Sequence, residues 1–327
     1  MTHNKVSVIV PVYQVSAYVE RCLRSVMAQT YPDMECIIVD DATKDDSIEK
    51  CERLIRRYDG AIRFRILHHD RNRGLSAARN TGTEAAVGDY LYYLDSDDYL
   101  SPDCIARLAA VVNEDDGIEM VQGNGAMKSD STESFLYRAD HPILTRNYEQ
   151  TRRAFFRHRY IYISVWNKLI KKSLIEEHRI YCREGMVFED LLWVFYLMKH
   201  LKRTYLCEAV TYYWCIRPGS IMTAAKAETF RCYALIFDEI LQHATAGRER
   251  EELDGYLYYF VKRYVSYVKL VPAFKDTIRR YRAKARQYHC WKTFMVLSAA
   301  SIVARFGNPS RLLERMNAVR WKLTKGK

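Results

Sequence analysis

Glycine and proline are scarce in these 327 residues, at 13 and 7. That excludes collagen-like and low-complexity chains, which are built from them. Glycine-rich phosphate cradles are missing too. No G-x-G-x-x-G follows the first apolar run, where Pro11-Val12-Tyr13-Gln14 stands instead, and no G-x-x-x-x-G-K-[ST] occurs. A nucleotide bound here needs another hold on its phosphates. The nine cysteines are scattered, odd in number and never spaced C-x-x-C. Neither a disulfide framework nor a zinc site is expected, and a reducing compartment is. Long apolar runs are also lacking. Thr293–Ala304 has 12 residues, about 18 Å as a helix against a bilayer core of about 30 Å. The first run, Val6–Val12, includes Pro11 and precedes no cleavage-like sequence. The expectation is a protein made and kept in the cytoplasm.

What is present suits a folded enzyme. Hydrophobic residues make up 49% of the chain, enough for a sizeable core, and 25 tyrosines suit surfaces that are half apolar and half wet. Charge is divided unevenly. Residues 262–327 hold 17 Lys/Arg and 2 Asp/Glu, a net +15; the preceding residues hold 34 and 38, a net −4. The strongly basic part is a C-terminal segment.

The first hundred residues alternate short apolar runs with helical patterns. Strands are expected at Val6–Val12, Cys36–Val39, Ile62–Leu67 and Tyr90–Leu94. Helices are expected at Ala17–Gln29, with Ser16 as N-cap, at Ser47–Tyr58, and at Leu75–Val87, entered through Gly74. The alternation predicts an α/β fold, a Rossmann-like, mostly parallel sheet flanked by helices. Ligands of such sheets sit outside the carboxyl ends of the strands. Strands two and four both end there in acids. Beyond residue 100 the pattern loosens, with helices at Pro102–Asn113 and Asp190–His200, a strand at Leu206–Cys215, and helix from about 224 onward.

The acidic clusters carry the chemistry. In an extended Asp95-Ser96-Asp97-Asp98, residues i and i+2 point the same way, so Asp95 and Asp97 converge on a counterion. Oxygen-only ligands suit Mg²⁺ or Mn²⁺. The plainer alternative is a polar turn, with Asp98 or Ser101 capping the next helix. Asp40 and Asp41 fit either a nucleoside contact or a turn. Glu189 and Asp190 fit either a general base or acids in the first turn of a helix. Arg79 either orients the Asp95–Asp98 segment or sits on a helix surface. Arg217 and Ser220 lie in a loop that either closes over a diphosphate or faces solvent. His68 and His69 read as structural.

Taken together, the motifs resemble the family 2 glycosyltransferases. The resemblance is carried by Val6–Tyr13, Leu23…Ser25-Val26…Gln29-Thr30-Tyr31, Glu35–Asp41, Asn72–Asn80, and Gly88-Asp89-Tyr90 leading to Leu94–Asp98. It is dense over residues 5–105 and thinner through Trp166–Leu169 and Phe188–Asp190 to about 220. It implies a GT-A domain over 1–223, with a nucleotide-binding half at 1–100 and an acceptor-binding half at 101–223, followed by a basic helical region at 224–327. It implies transfer, with inversion, from a nucleotide-diphosphate sugar (a UDP-sugar is favoured) to a glycan or lipid-linked saccharide. Pro11, Val12 and Tyr13 would line the base pocket and Asp41 would bond the base. Asp95, with Ser96 and Arg79 near it, would meet the ribose and diphosphate. Asp97 would hold the metal, and Asp190 would be the base with Glu189 its competitor. Two positions depart from the pattern: Ala42 where glycine is common, and Gln14 where asparagine is.

The C-terminal run Arg279, Arg280, Arg282, Lys284 and Arg286, followed by Trp291 and Phe294, resembles a basic amphipathic region on an anionic membrane surface. The alternative for Tyr256, Phe260, Tyr264, Tyr267 and Val271, at helical spacing, is a core face. A nucleic-acid binder would need a recognition signature that the tail lacks, so no nucleic acid partner is expected. A nucleotidyltransferase would need the missing glycine-rich loop.

Overall fold

The structure is a computed structural model and describes residues 3–128, 133–137, 139–216, 227–243, 248–265, 274–295 and 297–298. The chain divides into two compact units, Met1–Ser220 and Ile221–Lys327.

The first unit opens with β1 (Val6–Val12), α1 (Val19–Met27), β2 (Met34–Asp40), α2 (Ser47–Arg56), β3 (Arg63–His68), α3 (Leu75–Ala85) and β4 (Tyr90–Tyr93). This is the alternation legible in the sequence. The chain continues through β5 (Tyr99–Leu100), α4 (Cys104–Glu114), β6 (Met120–Lys128), β7 (Glu133–Tyr137), β8 (Ile143–Thr145) and α5 (Tyr148–Arg152). It then runs through β9 (Lys168–Lys171), α6 (Lys172–Glu177), α7 (Glu189–Leu197) and β10 (Thr204–Cys215). All ten strands form one sheet, ordered β3-β2-β1-β4-β9-β6-β10-β5, with β7 on β6 and β8 on β10. The expected parallel pairing holds across β3-β2-β1-β4 and again between β6 and β10. The strands added after residue 95 pair mostly antiparallel: β9 with β4 and β6, β5 and β8 with β10, β7 with β6. The sheet is therefore mixed.

Alternation along β1 sets the layers. Val6, Val8, Val10 and Val12 bury against Val19, Cys22, Leu23 and Val26 of α1 and, further along the same core, Leu108 and Val112 of α4. On the other face, Ile9 meets α3 at Gly82, where an added Cβ would stand 2.4 Å from Ile9 Cγ2. Glycine lets that helix lie directly on the strand. Pro11 is tolerated in a central strand because of where its nitrogen faces. Ile9 accepts from Leu94 N–H on the β4 side, and alternation turns Pro11 to the same side, where β4 has already ended at Tyr93.

Both chain reversals after β1 and β2 use left-handed residues: Gln14 at φ 51° and Ala42 at φ 55°. These are the two positions where the sequence departs from its family pattern, and asparagine and glycine are the residues that adopt this conformation most readily. Ser16 does not cap α1. The helix starts at Val19 behind Tyr18, which makes no side-chain cap, and the Ser16 hydroxyl bonds Asp46.

The second unit comprises α8 (Ala227–Gln242), α9 (Arg248–Val265) and α10 (Phe274–Gln287). Tyr281 of α10 is buried against Phe237 of α8, and Lys284 bonds Asp238 at 2.8 Å. Asp254 of α9 accepts the N–H groups of Lys292 and Thr293, at 2.8 and 2.9 Å. Tyr256 is a core residue, as the helical spacing allows. Tyr267 and Val271 lie outside the described residues.

Candidate active site

Asp95-Ser96-Asp97-Asp98 follows β4, and it turns instead of running extended. The Asp98 N–H donates to the Asp95 carbonyl at 3.0 Å. The turn gives its three acids different surroundings. Asp98 goes inward: its carboxylate accepts from the Tyr212 hydroxyl at 2.5 Å and from Cys215 N–H at 2.8 Å. Burial and its acidic neighbours push its carboxyl well above the usual range. Asp98 is thus a buried anchor of the turn to β10. Ser96 is buried as well. Asp95 and Asp97 are the two part-exposed acids of the turn.

Arg79 explains how the turn is held. It comes from the middle of α3, is 3% exposed, and donates through Nη2 to Asp95 Oδ1 at 2.6 Å and through Nη1 to Glu189 Oε1. Its guanidinium engages both acids, which fits the reading that it orients the Asp95–Asp98 segment. The adjacent Asn80 exchanges two 2.8 Å hydrogen bonds with the backbone of Cys182. Helix α3 thereby ties the segment leading to α7 back against the sheet.

Glu189 and Asp190 open α7, entered through Phe188 in the left-handed region at φ 62°. Glu189 is buried against Arg79 and is not open to an acceptor. Asp190 is half-buried, and its Oδ1 accepts from Leu191 N–H at 2.9 Å. Burial first, then the charge of Glu189, push the Asp190 carboxyl up to about 7. A carboxylate so placed titrates where a general base works best at neutral pH. Both acids do occupy the first turn of a helix, so the plainer reading holds alongside.

At the end of β2, Asp41 is buried with both oxygens engaged. Oδ1 accepts from Arg73 N–H at 2.7 Å and contacts the His69 ring at 2.7 Å; Oδ2 accepts from Gly74 N–H at 2.8 Å. It fixes the turn into α3, where Gly74 adopts φ 90°. Asp40 holds Thr43 N–H and the His68 ring, so both histidines are structural, as read. Pro11 and Val12 are buried, whereas Tyr13 presents 37% of its surface at the carboxyl end of β1. Arg217 and Ser220 lie outside the described residues.

An Mg²⁺ or Mn²⁺ fits this donor set. Among the described residues no three His, Cys, Asp or Glu side chains form a cage. Such ions instead use one or two carboxylates together with substrate phosphates. Asp97 is a part-exposed carboxylate, and Asp95 leaves Oδ2 unused by Arg79.

The family profile described as "Glycosyl transferase family 2" matches residues 7–179. The chain belongs to this family. EpsH of Bacillus subtilis, named a putative glycosyltransferase, is 32% identical over 182 residues, 54% of this chain. The chain spans only 49% of EpsH. A second relative covers the whole length: the GalNAc(5)-diNAcBac-PP-undecaprenol beta-1,3-glucosyltransferase of Campylobacter jejuni is 26% identical over 327 residues, 98% of this chain and 99% of that protein. TarS of Staphylococcus aureus, a poly(ribitol-phosphate) beta-N-acetylglucosaminyltransferase, is 26% identical over 277 residues, 80% of this chain and 44% of that protein. The crystal structure of TarS residues 1–349 with UDP-GlcNAc matches with a TM-score of 0.69 at 21% identity, covering 93% of this chain and 92% of that one. The fold of this glycosyltransferase is GT-A.

Three buried polar residues behind the candidate site escaped the sequence reading. Tyr212 holds Asp98 and stacks on Trp166 at 4.6 Å. Asn167 sits buried at φ 59° and bonds Gly123, Asn124 and Thr211. Lys168 is fully buried, donates to the Ser164 carbonyl at 2.7 Å, and burial pushes its ammonium down to about 7 against the pull of Asp190. The signal available was the Trp166-Asn167-Lys168-Leu169 run, whose polar members stand in an otherwise apolar stretch.

Proposed function

We propose that this chain transfers a sugar from a nucleotide-diphosphate sugar, with UDP-sugars favoured, to a hydroxyl of a glycan on a phosphate-bearing carrier, with inversion at the anomeric carbon. The observation that carries the reading is the joining of the Asp95 turn and the first turn of α7 through buried Arg79. It brings an acid suited to the leaving diphosphate and an acid suited to the acceptor into one rigid unit. Two relatives support the acceptor class. One is named for a glycan on undecaprenol diphosphate and the other for poly(ribitol phosphate), and both acceptors bear phosphate.

In the proposed reaction Tyr13, with Pro11 and Val12 behind it, receives the base at the end of β1, and Asp95 meets the ribose and diphosphate. Asp97, with Asp95 beside it, holds Mg²⁺ or Mn²⁺, which supplies Lewis-acid stabilisation to a leaving diphosphate. The acceptor oxygen bonds to the anomeric carbon as the bond from that carbon to phosphate oxygen breaks, its electron pair leaving with the nucleoside diphosphate. Asp190 takes the hydroxyl proton as the acceptor attacks. Glu189, held on Arg79, adds to burial in raising the neighbouring Asp190 and so makes it a stronger base than burial alone accounts for. Residues 101–223 would choose the acceptor, and the basic C-terminal region would hold the enzyme on an anionic membrane surface at the inner face of the cell membrane.

The test is a thermal-shift screen of UDP-, GDP- and dTDP-sugars with Mn²⁺ or Mg²⁺, followed by an assay for nucleoside diphosphate release. At least one donor is expected to raise the melting temperature in a metal-dependent way and to yield the nucleoside diphosphate. Release of inorganic diphosphate, or no donor that binds, would sink the reading.

A further inference from the structure

Arg21 of α1 is an exposed residue that contacts the turn carrying Asp97. Its Nη2 donates to the Asp97 carbonyl at 2.9 Å, and its guanidinium lies 5.0 Å from the centroid of Tyr99. Tyr99 of β5 and Tyr213 of β10 are directly paired across antiparallel strands, with rings 4.6 Å apart and 5° from parallel. Lys128, the exposed last residue of β6, brings its Nζ within 5.8 Å of both rings. Two cations from different elements are thus gathered on one rigid aromatic pair, at the edge of the turn that carries Asp97.

A flexible Arg or Lys at a surface loses rotamer freedom on binding an anion. Here the rings have already fixed much of it, as a planar guanidinium stacked on a ring is pre-organised. Only Nη2 of Arg21 bonds Asp97, so the rest of its fork remains able to grip phosphate oxygens. Among the described residues, Asp97 and Asp98 are acids that share the surroundings of Cys215 with Arg21 and Lys128. Asp98 is turned inward on Tyr212 and Cys215. Asp97 is the proposed metal ligand.

We infer that Arg21 and Lys128, standing on the Tyr99–Tyr213 stack, form a subsite for the phosphate of the acceptor's carrier, an inference that rests on the phosphate-bearing acceptor proposed above. The phosphate comes from a polyol-phosphate chain or from a polyprenyl diphosphate, and the ligand chemistry is the same.

The test uses the full chain and its Lys128→Glu and Arg21→Gln variants, each checked for an unchanged melting temperature, with Lys128→Gln in reserve if charge reversal perturbs folding. The probes are a soluble poly(glycerol phosphate) oligomer, phosphatidylcholine vesicles carrying a polyprenyl diphosphate, and UDP. Because each variant keeps the basic C-terminal region, its contribution to vesicle binding cancels. Each variant is expected to weaken binding of at least one phosphate probe by about tenfold or more, the effect of losing one charge-assisted contact, with UDP affinity unchanged. The probe that weakens identifies the source. Wild-type affinities retained for both probes, a wild-type chain that binds neither, or losses that follow loss of UDP affinity would each overturn the subsite. None of these readings depends on turnover, so failure of the transferase reaction is scored separately by nucleoside diphosphate release.

Discussion

Asp190 carries opposite consequences for activity and stability, and the pair separates its two readings. Its carboxyl is raised from the ordinary range to about 7. The folded state therefore binds its proton more tightly than the unfolded chain does. That contribution is fully present below the unfolded carboxyl's titration, near pH 4, and is lost as pH rises through 7. Asp190→Asn keeps an oxygen for Leu191 N–H and removes the buried charge. Turnover is expected to fall about 10²–10⁴-fold, while the melting temperature rises at pH 8 and stays unchanged near pH 4. The wild-type rate profile should show an acid limb near pH 7. An Asp190→Asn enzyme with near-normal turnover and native folding would remove Asp190 as base. Ala42 offers a simpler test. Its left-handed backbone disfavours any residue with a Cβ by about 1–2 kcal/mol, part of which is offset by the greater unfolded freedom of glycine. Ala42→Gly is expected to raise unfolding free energy by about 1 kcal/mol in denaturant titration, with turnover unchanged. A neutral or destabilising result would mean the turn after β2 is not strained.

Elements, rather than single residues, account for what the sequence could and could not disclose. The strands β1, β2 and β4 were legible because each is a short apolar run between helical patterns, and acids at two strand ends marked the site end. Strands β5 and β9 were not: β5 has only two residues, and β9 has a lysine at each end of its four, so neither reads as an apolar run. The extended reading of Asp95–Asp98 failed because the Asp98–Asp95 backbone bond and the Tyr212 hydroxyl, 114 positions from Asp98, bend it. Arg79 sits 110 positions from Glu189, and no local pattern reports such a partner. The bridge it forms predicts a double-mutant result. Arg79→Met leaves Glu189 buried and uncompensated and should destabilise by about 3–5 kcal/mol. Adding Glu189→Leu should recover most of that loss, with a coupling free energy above about 1 kcal/mol, because Asp95 can turn to solvent and Glu189 cannot. Additive effects of the two substitutions in denaturant titration would show that α3 does not join the turn to α7. Arg79→Lys should not rescue activity, since one ammonium cannot hold both acids in the geometry of the fork.

The whole molecule has two charge regimes, and an acceptor anchored at a lipid surface gives them a use. Net charge is −4 over residues 1–261 and +15 over 262–327. Among the described residues no helix is long and apolar enough to cross a membrane. The proposed attachment is electrostatic and interfacial, carried by the basic charge of 262–327. Part of the basic run is already committed: Lys284 and Arg280 reach Asp238 across to α8, while Trp291 and Met295 stand exposed just beyond α10. The charges at 311–327 fall outside the described residues. The full chain should sediment with phosphatidylserine vesicles at low salt, lose them as ionic strength rises, and ignore phosphatidylcholine vesicles. Each basic residue near an anionic leaflet contributes about 1 kcal/mol. Replacing Arg311, Arg315, Arg320 and Lys322 together by glutamine should then weaken vesicle binding by about two to three decades. Donor affinity and nucleoside diphosphate release with a soluble acceptor should stay unchanged, because the groups proposed to act on the donor and acceptor lie between Tyr13 and Asp190. Vesicle binding that survives the fourfold replacement would move the contact to another surface. Loss of soluble turnover along with it would make the C-terminal unit part of the catalytic fold instead of an anchor.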